Sequence, residues 1–332
     1  MNWYRRPWLL GMLLLIGLVV LAGFSLTVGA RHITWPIIWK ALVAYDPTQV
    51  DELLVRTLRV PRLLLAIACG VSFGVAGALM QGVTNNPMAS PSIMGINAGA
   101  ALGLAIAMII WPYSSLNVMI VFAFGGVSLA TVAIMLLANR NGSRMSPVFL
   151  ALAGTAVSAV LLAITQALVV YFDVAQDLSY WTAGGISGVR MAQVLLLWPW
   201  TVLGLVMAIV LSKSVTLLSF GEEMAIGLGS HMGRIRLLAG LAVLVLCGSA
   251  VAIAGPIGFV GLVTPHMARK LVGIDYRKVV PITALLGAIL LVAADLVARS
   301  VAAPFEIPLG AITALIGVPF FLYLANRKGA RS

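Results

Sequence analysis

Ten near-continuous apolar runs fill this chain, at roughly 8 to 29, 63 to 83, 93 to 111, 118 to 138, 147 to 170, 191 to 211, 237 to 254, 256 to 272, 279 to 298 and 307 to 325. About 20 such residues cross a bilayer as a helix. In hydrocarbon every backbone N–H and C=O must be satisfied internally, so the pattern predicts an all-α membrane protein. Composition agrees, since 61% of the 332 residues are hydrophobic and only 9% are charged. A mean hydropathy of +1.08 excludes an ordinary soluble domain. The first run follows Arg5 and Arg6 in the manner of a signal peptide, but it is too long and has no small-residue cleavage site. It reads as a retained first helix.

Ten spans place both termini on one side. With the N-terminus inside, most of the 21 Lys and Arg fall in the cytoplasm, among them Arg140, Arg144, Lys213, Arg234, Arg236, Arg269, Lys270, Arg277 and Lys278. The outer side receives most of the acids, from Asp46, Asp51 and Glu52 to Glu306, so the net charge of +11 reflects topology rather than nucleic-acid binding. Cys69 and Cys247 lie inside spans, far from any metal-ligand spacing, and read as small core residues. No linker divides the chain, so residues 1–332 read as one transmembrane domain. It carries an external segment at about 31 to 61 that predicts a short surface helix, and an internal one at about 213 to 234. In the latter, acids in a first turn followed by glycines predict a short helix suited to docking.

One span is interrupted. Gly255 and Pro256 open GPIGFVGLVTPHMAR, Pro265 and His266 follow, and Arg269 closes it. Irregular backbone at membrane depth survives only where protein or a water-filled cavity surrounds it, so this stretch predicts a pathway. Between the second and third spans, GVTNNPMASPSIMGINAG forces a sharp or re-entrant turn through Asn85, Asn86, Pro87, Pro91 and Asn97. These residues, and Gln81 before them, are open to two readings: capping of a tight turn, or a gate. The glycines at 70, 74 and 77, at 95, 99 and 103, and Gly310, Ala314 and Gly317 recur at helical spacing and predict close helix packing.

Arg59 and Arg62 sit at the outer mouth of the second span and Arg299 at the outer end of the ninth. Uncompensated there, they either receive carboxylates from a docking partner or snorkel to lipid headgroups, the reading favoured for Arg31 and Arg56. Asp295, an acid within a span, stands four residues before Arg299, a spacing that predicts an ion pair ahead of a proton relay. His266 and His231 lack companions at metal-ligand spacing, and no G-x-S-x-G elbow is present. No lysine follows a glycine, so no phosphate loop exists in the chain. Transport is then either gradient-driven or powered by ATP on another polypeptide.

RVPR (59–62), GALMQGVTNNPMASPSIMGINAGA (77–100), GPIGFVGLVTPHMAR (255–269), DLVAR (295–299) and EIPLGAITALIGVPFFLYL (306–324), in this order and spacing, are similar to the FecCD-type permease subunits of ABC importers for iron-siderophore complexes, haem and cobalamin. The resemblance covers essentially the whole chain. It implies a ten-helix bacterial inner-membrane subunit that pairs with an identical or homologous permease around a path at the dimer interface. It implies a cytoplasmic ABC ATPase that uses the ATP, with no cofactor on this chain. An extracytoplasmic substrate-binding protein would dock acidic side chains onto Arg59, Arg62 and Arg299. GEEMAIGLG resembles the family's coupling helix, which places Gly221, Glu222, Glu223, Ala225, Leu228 and Gly229 against the ATPase. Many relatives read W-x-x-G-S where this chain reads WTAGGIS, with Gly185 in place of serine. The expected activity is import of a ferric siderophore, with haem or cobalamin import and gradient-driven transport as alternatives.

Overall fold

A helix occupies each of the ten predicted positions in the computed structural model, which describes residues 7–29, 31–91, 95–112, 114–139, 147–182, 184–221, 227, 231–302 and 305–329. In chain order the helices are α1 (Pro7–Thr27), α2 (Trp35–Val43), α3 (Val50–Leu54), α4 (Val60–Val83), α5 (Ile96–Ile110), α6 (Leu116–Asn139), α7 (Pro147–Phe172) and α8 (Ala175–Thr182). There follow α9 (Met191–Ser219), α10 (Met232–Val243), α11 (Ser249–Ala254), α12 (Val260–Val272), α13 (Tyr276–Ser300) and α14 (Leu309–Gly329). Five-residue π-helical turns join α3 to α4 (Val55–Arg59) and α10 to α11 (Leu244–Gly248). Neither turn was foreseen, because a single wide turn leaves apolar periodicity almost unchanged.

Among the described residues, seven helical stretches are long and apolar enough to cross a membrane, and the apolar helices 96–110 and 309–322 are shorter. α12 has only 13 residues, about 20 Å of helix against a hydrocarbon core of about 30 Å. The predicted span at 256 to 272 is therefore a short helix, about two-thirds of the core thickness, entered through non-helical backbone.

α4 is the axis of the bundle. Of its most apolar window 83% is buried, against 17% for α1 and for the stretch 152–172 of α7, so those two face the surroundings along most of their length. Its main partner is the antiparallel α13, with further contacts to α9, α12 and α10. Arg62 meets Asp295, Gly70 meets Gly287 and Gly74 meets Thr283, in one continuous register. A Cβ on Gly70 would overlap the Gly287 carbonyl, and one on Gly287 would overlap the Gly70 carbonyl. The helices touch backbone to backbone, which is what small residues permit inside a membrane. α5 and α6 repeat the device where Gly99 meets Gly126. Cys69 and Cys247 are buried in the main hydrophobic core, as expected.

Two expectations about the extramembrane segments need correction. The external segment forms two helices, α2 and α3, and the second runs on into α4 through the π turn. Its charges satisfy one another: Lys40 pairs with Glu52 at 3.1 Å and Arg31 with Asp51 at 3.0 Å. Arg56 lies 4.5 Å over the Tyr45 ring. Arg31 and Arg56 thus have protein partners where lipid headgroups were expected. On the other side α9 continues to Ser219, so Lys213 is helical rather than the start of a loop. Glu222, Glu223, Ala225, Leu228 and Gly229 lie outside the described residues, as do Arg5, Arg6, Arg140 and Arg144; Gly221, at φ 115°, ends the described chain there.

Candidate functional site

The antiparallel contact of α4 with α13 brings the first turn of one against the last turn of the other, which gathers the charges there. Arg62 Nε and Nη2 both lie 2.8 Å from Asp295 Oδ1. Arg62 Nη1 donates to Glu306 Oε1 at 2.6 Å, and Ser187 Oγ donates to Glu306 Oε2. Arg299 Nε stands 3.5 Å from Asp295 Oδ2, an ion pair rather than a hydrogen bond. The predicted Asp295–Arg299 pair is present, but Arg62 is the nearer partner of the carboxylate.

Arg59 and Arg299 have a second task. The last carbonyls of a helix have no donor within it, and here guanidinium groups supply one. Arg59 donates to the Leu26 and Arg31 carbonyls; Arg299 donates to the Val28 carbonyl at 2.9 Å and to the Ser25 carbonyl and hydroxyl. The positive charges also oppose the negative end of the α1 dipole. Arg62 and Arg299 are paired with carboxylates, which corrects the reading from sequence for those two, while Arg59 bonds to carbonyls and has no ion pair among the described residues. They remain accessible from one side, where Arg31, Arg59, Arg62, Arg299 and Glu306 line a cavity of about 340 Å³. Burial pushes the Glu306 carboxyl up, but bonds from Ser187 and Arg62 and the charges of Arg62 and Arg299 outweigh it and hold it below the usual range.

The interruption begins at Gly255, whose φ of 72° ends α11. Backbone then runs without helix to Phe259, which at φ 66° starts α12. The neighbouring loop after α8 satisfies part of this stretch, since Gly185 N–H donates to Ala254 C=O at 2.9 Å. Gly184 lies against the Pro256 carbonyl and Gly255 against that of Trp181, both too close for a side chain. Phe259 packs its ring on Gly317 of α14, and His266 meets Phe320 edge-on at 5.5 Å.

A cavity of about 470 Å³ opens beside the interruption, lined by Phe73, Pro91, Asn97, Gly258, Phe259 and Phe321 among others. Of the residues expected on a path or gate, Pro91 and Asn97 line it. Asn85 and Asn86 shape the turn after α4: Asn85 takes φ 48°, and Asn86 Oδ1 accepts from the Met88 N–H at 2.9 Å. Pro87 belongs to the same turn. Pro265 is buried within α12, and His266 is half-buried with no partner for Nε2.

Gln81 stands at the junction of α4 and α12. Pro265 has no N–H, so the Gly261 carbonyl four residues earlier loses its helical donor. Gln81 Nε2 replaces it, donating to Gly261 O at 3.2 Å and reaching Leu262 O at 3.4 Å, while its Oε1 accepts from Arg269 Nη2 at 2.5 Å. One side chain of α4 thereby clasps both ends of the short helix α12. The pairing across 180 residues has no local signature in the sequence.

A protein-family model described as the FecCD transport family matches residues 14–327. The chain belongs to this family. It is 43% identical over 330 residues to the iron(3+)-hydroxamate import system permease protein FhuB of Bacillus subtilis, covering 98% of this chain and 86% of that one. It is 45% identical over 321 residues to the Fe(3+)-citrate import system permease protein YfmD of the same organism, covering 96% and 95%. A solved structure of an inward-facing metal-chelate type ABC transporter superposes with a TM-score of 0.85 at 29% identity, covering 96% of this chain and 99% of its own. As a FecCD protein the chain is a multi-pass membrane permease subunit and not an enzyme, and ATP hydrolysis belongs to a separate polypeptide. Gly185, where this FecCD chain departs from W-x-x-G-S, has open space where a side chain would stand.

Proposed function

We propose that this chain is the permease of an ATP-driven importer that carries a ferric siderophore inward across a bacterial cytoplasmic membrane. The observation that carries the reading is the near-full-length match to relatives named for import of iron(3+)-hydroxamate and Fe(3+)-citrate. Both termini lie in the cytoplasm, as does the side holding Gln81, because Lys213, Arg234, Arg236, Arg269, Lys270, Arg277 and Lys278 gather there. The cluster of Arg59, Arg62 and Arg299 then faces outward, where a binding protein presents carboxylates to the cationic cavity. A second permease, identical or homologous, completes a path beside the interrupted span, with Gly255, Pro256, Pro91 and Asn97 near it. The segment Gly221 to Gly229 engages the ATPase.

The cargo is tested by radioiron uptake in cells whose own copy is deleted and then restored. A ferric trihydroxamate or ferric citrate should enter only when this chain is present. Restoration of cobalamin or haem uptake, with neither iron chelate entering, would overturn the assignment of cargo while leaving the importer class standing.

A further inference from the structure

We propose that Glu306 is an internal competitor for Arg62, displaced when a carboxylate of the docking protein enters the outer cavity, and that its release loosens the loop holding the interrupted span. The idea rests on the importer reading above and adds to it a residue that sets docking strength and passes the event inward.

Arg62 holds two carboxylates of very different standing. The Asp295 side chain is 3% exposed and is shared with Arg299, so it cannot leave without stranding two cations. The Glu306 side chain is 39% exposed and belongs to the stretch between α13 and α14. Of the two, Glu306 is the one that can be exchanged. It also lines both outer cavities, the one with Arg59 and Arg299 and a second, also of about 340 Å³, with Trp181, Gly184, Gly185 and Ser187.

Electrostatics favours the exchange. Asp295 and Glu306 match Arg62 and Arg299 in charge, whereas Arg59 bonds to neutral carbonyls of the α1 end and the segment after it and keeps a positive charge that draws a further carboxylate in. A third carboxylate drawn into this space finds the donors of Arg62 already taken by Asp295 and Glu306, and the more exposed of the two resident acids is the one that yields. When Glu306 moves, Ser187 loses its acceptor. Two residues earlier, Gly185 donates to Ala254, the residue just before the break at Gly255. A short chain of named contacts therefore joins the docking cavity to the interrupted backbone, and the incoming ligand biases it by binding one arrangement and not the other.

The test uses Glu306→Gln in the full complex in lipid nanodiscs, with the substrate-binding protein recovered by crosslinking to this chain in its own cells as probe. Removing a competitor should tighten docking about tenfold, the factor for a contact closed about nine-tenths of the time. Damage to the fold would weaken docking, so tightening separates the two causes. Hydrogen exchange at the Gly185 amide should quicken in the variant without any partner present. Ser187→Ala, which leaves the Arg62–Glu306 pair in place, should quicken the same amide. Docking that is unchanged or weaker in Glu306→Gln, while wild type binds, overturns this proposal and leaves the importer reading intact. Unchanged exchange at Gly185 overturns the inward half of it. Failure of wild type to engage any binding protein overturns the importer reading together with it.

Discussion

Gly70→Val is expected to leave almost no folded protein in the membrane. The residue lies at the closest approach of α4 and α13, where an added Cβ would fall on the Gly287 carbonyl and against the Ala288 Cα. Ordinary overpacking costs about 1–3 kcal/mol because neighbouring side chains shift. Here the obstacle is backbone, so the two helices must separate along a contact that also sets the Arg62–Asp295 register. The loss should exceed about 4 kcal/mol, the range reserved for severe single substitutions. Gly17→Val is the control, because nothing lies within 4 Å of a Cβ built there. Monodisperse yield in mild detergent should collapse for the first variant and hold for the second. Equal yields would mean that the glycine contact does not set the helix spacing.

Asp295→Ala should destabilise the protein by about 3–5 kcal/mol, the usual cost of stranding a buried charge by removing its partner. The substitution leaves Arg62 and Arg299 facing each other with side chains 14% and 8% exposed, and only the half-exposed Glu306 remains near them. Asp295→Asn keeps an acceptor and should cost less, because an unmet buried group is what makes such changes expensive. Thermal unfolding in detergent checks the order of the two. The same pair of variants decides between an ion pair and a proton relay. Loss of transport in Asp295→Asn at wild-type stability would favour the relay and contradict the structural role described for the cluster.

The ten helical positions were legible, seven of them at full membrane length among the described residues, because apolar length at membrane scale is a direct consequence of hydrocarbon thickness. Gly255 and Pro256 likewise announce a break wherever they interrupt such a run. The Asp295–Arg299 pair could be read because its partners stand one turn apart on one helix. Arg62 binding Asp295 across 233 residues and Arg299 binding Ser25 across 274 could not, since such pairings depend on which helices become neighbours. For the same reason the arginines looked unpaired in sequence, while in the structure they close the end of α1 as well as the ion-pair cluster. The bonds of Gln81 were hidden for a subtler reason. Its role follows from the N–H missing at Pro265, and that vacancy is visible only once α12 lies against α4.

The central claim is that this chain moves its cargo with energy supplied by a separate ATPase. The most direct test is radioiron uptake into proteoliposomes holding the complex purified from native membranes, with ATP either enclosed with the ATPase or absent. Accumulation of the ferric chelate that requires ATP, requires the ATPase and survives collapse of the proton gradient is the predicted result. Accumulation by this chain alone, without ATP and abolished by an uncoupler, would contradict it.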